Sequence, residues 1–224
     1  MNFFKNHEHK MNNSNSVSKT IKFLTLALLF IGFTSCSNDN DDTPLLEVES
    51  QTISNLQATQ SADYTTTPPT IIGDYIKFSF ETGSTTTGND WDIAFRGSTI
   101  IVNGGEATAQ DQPARTSSTG AYIATGTLAS ITTVDNSLLK SDSSTNGLAI
   151  PTGSGNGWYN YDPTNHIISP IPGKIIVVKT NSGKYAKLEI LSYYENSTPN
   201  DDLSNSQFYT FNYVYQPNEG VTTF

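Results

Sequence analysis

The segment Lys174 to Leu191, KIIVVKTNSGKYAKLEIL, constrains the fold more than any other stretch. Two runs flank Asn181-Ser182-Gly183, a turn signal between β-formers, so the segment reads as a β-hairpin. Its first run is apolar on both faces, with Ile175 and Val177 on one side and Ile176 and Val178 on the other. A strand of that kind is stable only when both faces are covered, which places it inside a sheet rather than at an edge. The second run sets Ala186, Leu188 and Ile190 on one face, the pattern of a half-buried strand.

The same period of two recurs along the chain. YIKFSF alternates Tyr75, Lys77 and Ser79 against Ile76, Phe78 and Phe80. WDIAF sets Trp91, Ile93 and Phe95 on one face, which predicts a core position for Trp91. STIIVNGG is an apolar run closed by Asn103-Gly104, a turn signal. QFYTFNYVY carries Tyr209, Phe211, Tyr213 and Tyr215 as an aromatic strip, expected in the core with its phenol oxygens at a rim. No segment shows sustained helical spacing with caps; TLASITTVDNSLLKS has room for a short helical turn or two. The expected class is all-β, a single domain built as an antiparallel β-sandwich or open barrel with little helix. Linkers at 82–90, 104–120 and 141–157 read as long loops, the places where a rigid β-scaffold usually carries binding.

The N-terminal segment KTIKFLTLALLFIGFTSC joins a basic stretch to an apolar run from Ile21 to Phe33. That run falls short of the ~20 apolar residues a membrane span needs, and it reads as a secretory signal. Cys36, the one cysteine, follows directly, as in a bacterial lipobox, with Phe33 where leucine is usual. An ordinary signal peptide is the competing reading. The expected organisation is a signal peptide over 1–35, a lipidated N-terminus and tether over 36–48, and a β-domain over 49–224. Translation can start at Met1 or Met11; either way His7 and His9 leave with the signal. With one cysteine the fold closes no intrachain disulfide. SNDNDDT after Cys36 resembles the surface-export signal of Bacteroidetes lipoproteins; it lacks the glycine and terminal glutamate of a calcium loop.

Of the 12 basic and 21 acidic residues, the signal removes four and one, leaving eight and twenty. The resulting formal charge of −12 disfavours nucleic acid, whose binders present a basic face, and disfavours adhesion to anionic lipid. Catalytic patterns are missing. No serine or threonine has a motif that supplies a base. The glycines of GSGNG (153–157) do not stand between a strand and a helix start, where a phosphate cradle would need them. Asp90 and Asp92 flank Trp91 and would share a strand face, as paired carboxylates or, more plainly, as a solvated edge. One histidine does not make a zinc site. The expectation is a protein that is not an enzyme.

What remains is WYNYDPTNHIISPIP, residues 158–172. Trp158 follows the exit of a loop and precedes Tyr159 and Tyr161; it is a core side chain or a platform for a planar ligand. His166 is the last histidine, set among Pro163, Pro170 and Pro172, which stiffen its loop. It is an imidazole ligand or a hydrogen-bonded surface side chain.

WDIAFRGSTIIVNGG, GWYNYDP, GKIIVVKTNSGKYAKLEILSYY and FYTFNYVYQ, in this order, resemble the HmuY family of haem-binding lipoproteins of Bacteroidetes. The resemblance covers roughly residues 70 to 216. It implies an all-β fold, an outer-membrane or cell-surface location, haem as ligand and a TonB-dependent outer-membrane receptor as partner. It also implies two axial ligands to the haem iron, two histidines or, in relatives, two methionines. After the signal this chain has one histidine and no methionine, so ligation by two histidines of one chain is excluded by count. The first ligand would fall within 121–150, which offers only Tyr122; the second falls in the loop holding His166. Tyr159, Tyr161, water or a histidine of a second copy are then the candidates opposite His166. A glycan-binding or adhesion module without haem is the alternative function.

Overall fold

The computed structural model describes residues 44–224; Cys36, the signal over 1–35 and most of the tether lie outside them. The described residues belong to one compact unit, Thr43–Phe224, with its own core.

Thirteen strands follow in order. The N-terminal ones are β1 (Glu49–Gln57), β2 (Ser61–Asp63), β3 (Thr70–Ile72), β4 (Ile76–Ser79) and β5 (Ser84–Thr86). Then come β6 (Ile93–Arg96), β7 (Thr99–Val102), β8 (Gly120–Thr125), β9 (Tyr159–Asp162) and β10 (Ile167–Pro170). β11 (Lys174–Lys179), β12 (Tyr185–Tyr194) and β13 (Ser206–Gln216) close the chain. Two single 3-10 turns, Asn136–Leu138 and Glu195–Ser197, are the helical elements among the described residues.

Five strands form an antiparallel sheet in the order β1-β13-β12-β11-β8, and four form a second in the order β5-β4-β6-β7. Their inner faces make one core. Phe78 meets Phe211 edge-on with ring centres 5.5 Å apart, and Phe95 lies 4.8 Å from Tyr209. Tyr209, Phe211, Tyr213 and Tyr215 all point inward and are at most 2 % exposed. The chain is therefore an all-β sandwich. β11 takes the interior position its sequence requires, between β12 and β8. Ile176 and Val178 face the sandwich, while Ile175 and Val177 face a second cluster with Tyr122, Val134 and Tyr185. Residues 127–139 and the C-terminal Phe224 roof that outer face, tied by Phe224 N–H to Thr132 O and Val134 N–H to Thr222 O. Each branched side chain so enclosed is worth about 1.5–3 kcal/mol.

Three local expectations are corrected. Trp91 does not share a face with Ile93 and Phe95. It is fully buried, as a core side chain should be, but on the outer side of the four-stranded sheet with Ala94 and Ile101, because the strand begins only at Ile93. The irregularity is at Asp92, whose buried carboxylate accepts from Phe80 N–H (2.8 Å), Asn181 N–H (2.7 Å) and Asn181 Nδ2 (2.8 Å). Asp90 stays exposed, so the two carboxylates do not act as a pair. Second, Asn103-Gly104-Gly105 is a crossing of chains rather than a plain turn. A Cβ on Gly104 would stand 1.8 Å from Thr119 O, and one on Gly105 1.9 Å from Asp142 O. Third, Tyr209 of the β13 strip does not carry its phenol to a rim: its Oη donates to Gly97 O at 2.8 Å inside the core.

Candidate functional site

β9 and β10 pair as a two-stranded antiparallel hairpin, Tyr161 opposite Ile168 and Asp162 opposite Ile167. The turn between them is Pro163-Thr164-Asn165-His166, and its polar side chains close it. Asp162 Oδ1 accepts from Thr164 N–H (2.8 Å), and Asn165 Oδ1 accepts from Ile167 N–H (3.1 Å). His166 closes the turn with φ of +61°, in the left-handed region. For a residue with a Cβ that region carries a cost of about 1–2 kcal/mol. The turn brings His166 Nδ1 within 2.6 Å of Tyr161 Oη, with ring centres 6.1 Å apart. Both side chains are exposed.

Beneath the hairpin lies a bed of rings. Trp158 sits 4.9 Å from Tyr159, 5.3 Å from Tyr209 and 5.8 Å from Tyr193. Its Nε1 donates to Ser98 O at 3.1 Å, and it is 2 % exposed. Tyr159 is buried beside it, its Oη 3.4 Å from Ser98 Oγ. Tyr194 Oη accepts from Ile168 N–H at 2.9 Å and fixes the hairpin on this bed. Burial pushes the phenols of Tyr193 and Tyr209 well above their ordinary value of 10, so both stay neutral. Trp158 and Tyr159 therefore serve the core that supports the hairpin, with no open ring face to offer in this arrangement.

Tyr122 stands elsewhere. It belongs to β8, on the outer face of the five-stranded sheet, and its Oη accepts from Asp135 N–H at 3.0 Å. It lines a cleft of about 350 Å³ at the edge of the five-stranded sheet beside β8, with Ile123, Leu138, Lys140, Ala149, Pro151, Asn156, Gly157 and Lys174. Of the five residues singled out in sequence, the structure thus joins Tyr161 to His166, sets Trp158 and Tyr159 beneath them, and separates Tyr122. The cleft lysines Lys140 and Lys174 carry no local sequence signal. Only the bridge of Ala121 to Lys140 and the pairing of Lys174 with Thr125 bring them together.

Among the described residues no group of three or more His, Cys, Asp or Glu side chains gathers as a metal site, and no helix is long and apolar enough to cross a membrane. The remaining buried ion pair, Arg115 with Asp142 at 2.8 Å, ties loops together. Asp142 also accepts from Val102 N–H (3.1 Å) and Ala149 N–H (2.9 Å).

Comparison with solved structures finds a candidate lipoprotein from Bacteroides fragilis at 13% identity and TM-score 0.45, covering 78% of this chain and 96% of that one. An apo HmuY analogue from Tannerella forsythia aligns at 16% identity and TM-score 0.42, covering 78% and 99%. A candidate HmuY-like haem-binding protein from Bacteroides vulgatus aligns at 16% identity and TM-score 0.35, covering 76% and 93%. No curated protein matches. The family model described as HmuY protein matches residues 72–213, the span that holds β4 to β12 and most of β13, and by that match the chain belongs to the HmuY family.

Proposed function

We propose that this protein binds haem, or a related flat apolar ligand, at the outer surface of the cell and passes it to a TonB-dependent outer-membrane receptor. Membership of the HmuY family supports the ligand class. In this reading residues 1–35 are a signal peptide, Cys36 carries the lipid anchor, and residues 49–224 are the binding domain. The leading stretch of the described chain is already fastened to that domain: Asn218 Oδ1 accepts from Leu46 N–H, and Asn218 Nδ2 donates to Leu46 O.

The observation that carries the proposal is the 2.6 Å contact of Tyr161 Oη with His166 Nδ1. When Nδ1–H donates to the phenol, Nε2 keeps its lone pair, which is the tautomer of a metal-ligating imidazole held by a second group. The left-handed backbone at His166 places this pair at the tip of a stiff hairpin, and such strained residues gather at functional sites. The donor set fits one axial position on haem iron. Tyr161 touches His166 and so cannot oppose it across an iron; its part is to orient the ring. Tyr159 is buried against Ser98, which leaves water or the histidine of a second copy for the opposite position.

Titrating residues 43–224 with haemin and following the Soret band tests this. A saturable shift with an imidazole signature is expected, lost in His166→Ala while the fold persists. Tyr161→Phe should weaken haemin binding about tenfold or more by freeing the ring. No saturable shift at micromolar haemin overturns the haem reading and leaves the glycan-binding alternative. An unchanged spectrum in His166→Ala removes His166 from the site.

A further inference from the structure

The cleft beside β8 is a second concave site, and neither Tyr161 nor His166 lines it. Its volume, about 350 Å³, is at the small end for a ligand pocket and suits one compact ring system or chain. Its charge runs against that of the molecule. Eight basic side chains lie among the described residues. Arg96, Arg115 and Lys184 pair with carboxylates, and Lys77 and Lys187 donate to backbone carbonyls. Of the other three, Lys140, Lys174 and Lys179, none has a carboxylate partner among the described residues, and Lys140 and Lys174 both line this cleft, whose walls hold no Asp or Glu. Lys174 reaches only Thr125 Oγ1, at 3.5 Å.

The rest of the wall is mixed: Asn156 is polar, while Ile123, Ala149, Pro151 and Leu138 form an apolar part, with Leu138 49 % exposed and among the large apolar side chains left at the surface. The one phenol in the wall, Tyr122, already accepts from Asp135 N–H. Two lysines without carboxylate partners beside the apolar side chains Ile123, Leu138 and Ala149, in a chain of strongly negative charge, match a ligand with an apolar body and an anionic end.

We propose that this cleft binds an amphipathic organic carboxylate, with Lys140 and Lys174 taking the carboxylate and Ile123, Leu138 and Ala149 the apolar body. The site goes beyond the haem reading, since it uses neither iron nor His166.

The probe is 1-pyrenebutyrate, with its uncharged methyl ester as the matched control, both followed by pyrene fluorescence on residues 43–224. The acid should bind saturably, at least about tenfold tighter than the ester, and the difference should shrink as salt is raised. Lys140→Gln/Lys174→Gln should weaken the acid about tenfold and leave the ester within about twofold. Its urea midpoint, equal to that of the wild type, shows that the fold is kept. His166→Ala should leave the acid's affinity unchanged, so failure of the haem reading and failure of this one are separate results. Absent binding of the acid, equal affinity for acid and ester, or a double variant that binds the acid as the wild type does, each overturns the proposal. A loss in His166→Ala overturns its independence from the hairpin.

Discussion

Asp142→Ala is the substitution whose cost the structure defines best. Asp142 Oδ2 accepts from Arg115 Nη2 (2.8 Å), Arg115 Nε (3.2 Å) and Val102 N–H (3.1 Å), and Oδ1 accepts from Ala149 N–H (2.9 Å). One carboxylate thus fastens the end of β7, the 104–120 loop and the 141–157 loop. Both partners of the ion pair are shut off from water, with side-chain exposures of 2% and 0%. Alanine leaves a buried guanidinium and two buried amides without their acceptor. Breaking a buried pair costs roughly 3–5 kcal/mol. Arg115 keeps Pro113 O and Gln112 Oε1, which favours the lower end of that range. A loss of about 3 kcal/mol is roughly a fifth to three fifths of a typical domain's stability of about 5–15 kcal/mol. At a urea slope of about 2 kcal/mol/M, the midpoint of residues 43–224 should fall by about 1.5 M. Glu106→Gln, an exposed carboxylate bonded to Ser144 in the same region, is the control and should move it by no more than about 0.5 kcal/mol. Hydrogen exchange should quicken first at the Val102 and Ala149 amides. If Asp142→Ala costs less than about 1 kcal/mol, the carboxylate is not the fastening described, and the reasoning fails.

Gly104→Ala should destabilise by about 3 kcal/mol or prevent folding, because its Cβ would meet Thr119 O at 1.8 Å; Gly147→Ala, with nothing within 4 Å, should cost only about 1 kcal/mol through its φ of +81°, both read from urea midpoints. Burial raises the Asp92 carboxyl above its ordinary value of 3.8, against the three N–H groups that favour its ionised form. The native state therefore holds this proton more tightly than the unfolded chain. Its contribution is fully present below pH 3.8 and is lost as pH rises through the raised value, so part of the acid-side stability measured in pH-dependent urea titrations should vanish in Asp92→Asn. Cys36→Ala should abolish acylation, seen as loss of metabolic lipid label, and release the protein from the membrane fraction; normal maturation and membrane partition in the variant would refute the lipid anchor.

The strands that were legible in sequence are those whose own side chains dictate burial. The doubly apolar run at Ile175–Val178 can be stable only inside a sheet, and the four rings from Tyr209 to Tyr215 can be buried only on one face. β1 and β8 carry no such signal. β1 is a mostly exposed edge strand of polar residues, and β8 begins with Gly120-Ala121, too little apolar surface to stand out. The face that Trp91 takes and the path of Asn103-Gly104-Gly105 escape the sequence for a common reason, although the burial of Trp91 itself follows the expectation. Their conformations are set by Asn181, Thr119 and Asp142, which no local period can register.

The site shows the same division. The residue types flagged in 158–166 do lie together, but their roles depend on the hairpin turn. A left-handed φ at His166 turns its ring to Tyr161, and packing against Tyr193 and Tyr209, with Tyr194 Oη holding Ile168 N–H, buries Trp158 and Tyr159 beneath. Tyr122, placed with them by family resemblance, ends on the other face of the sheet, because alternation along β8 sends Ala121 and Ile123 inward and Tyr122 out. A single imidazole on a rigid β-scaffold supplies half of an iron's axial set. Whatever binds must therefore draw more of its affinity from enclosure and charge than a ligand clamped by two imidazoles would. On the proposed reading those resources are divided between a hairpin tip that presents the His166 imidazole and an edge cleft lined by Lys140 and Lys174. Iron-dependent and iron-independent ligands should consequently respond to different substitutions, His166 for the one and Lys140 with Lys174 for the other.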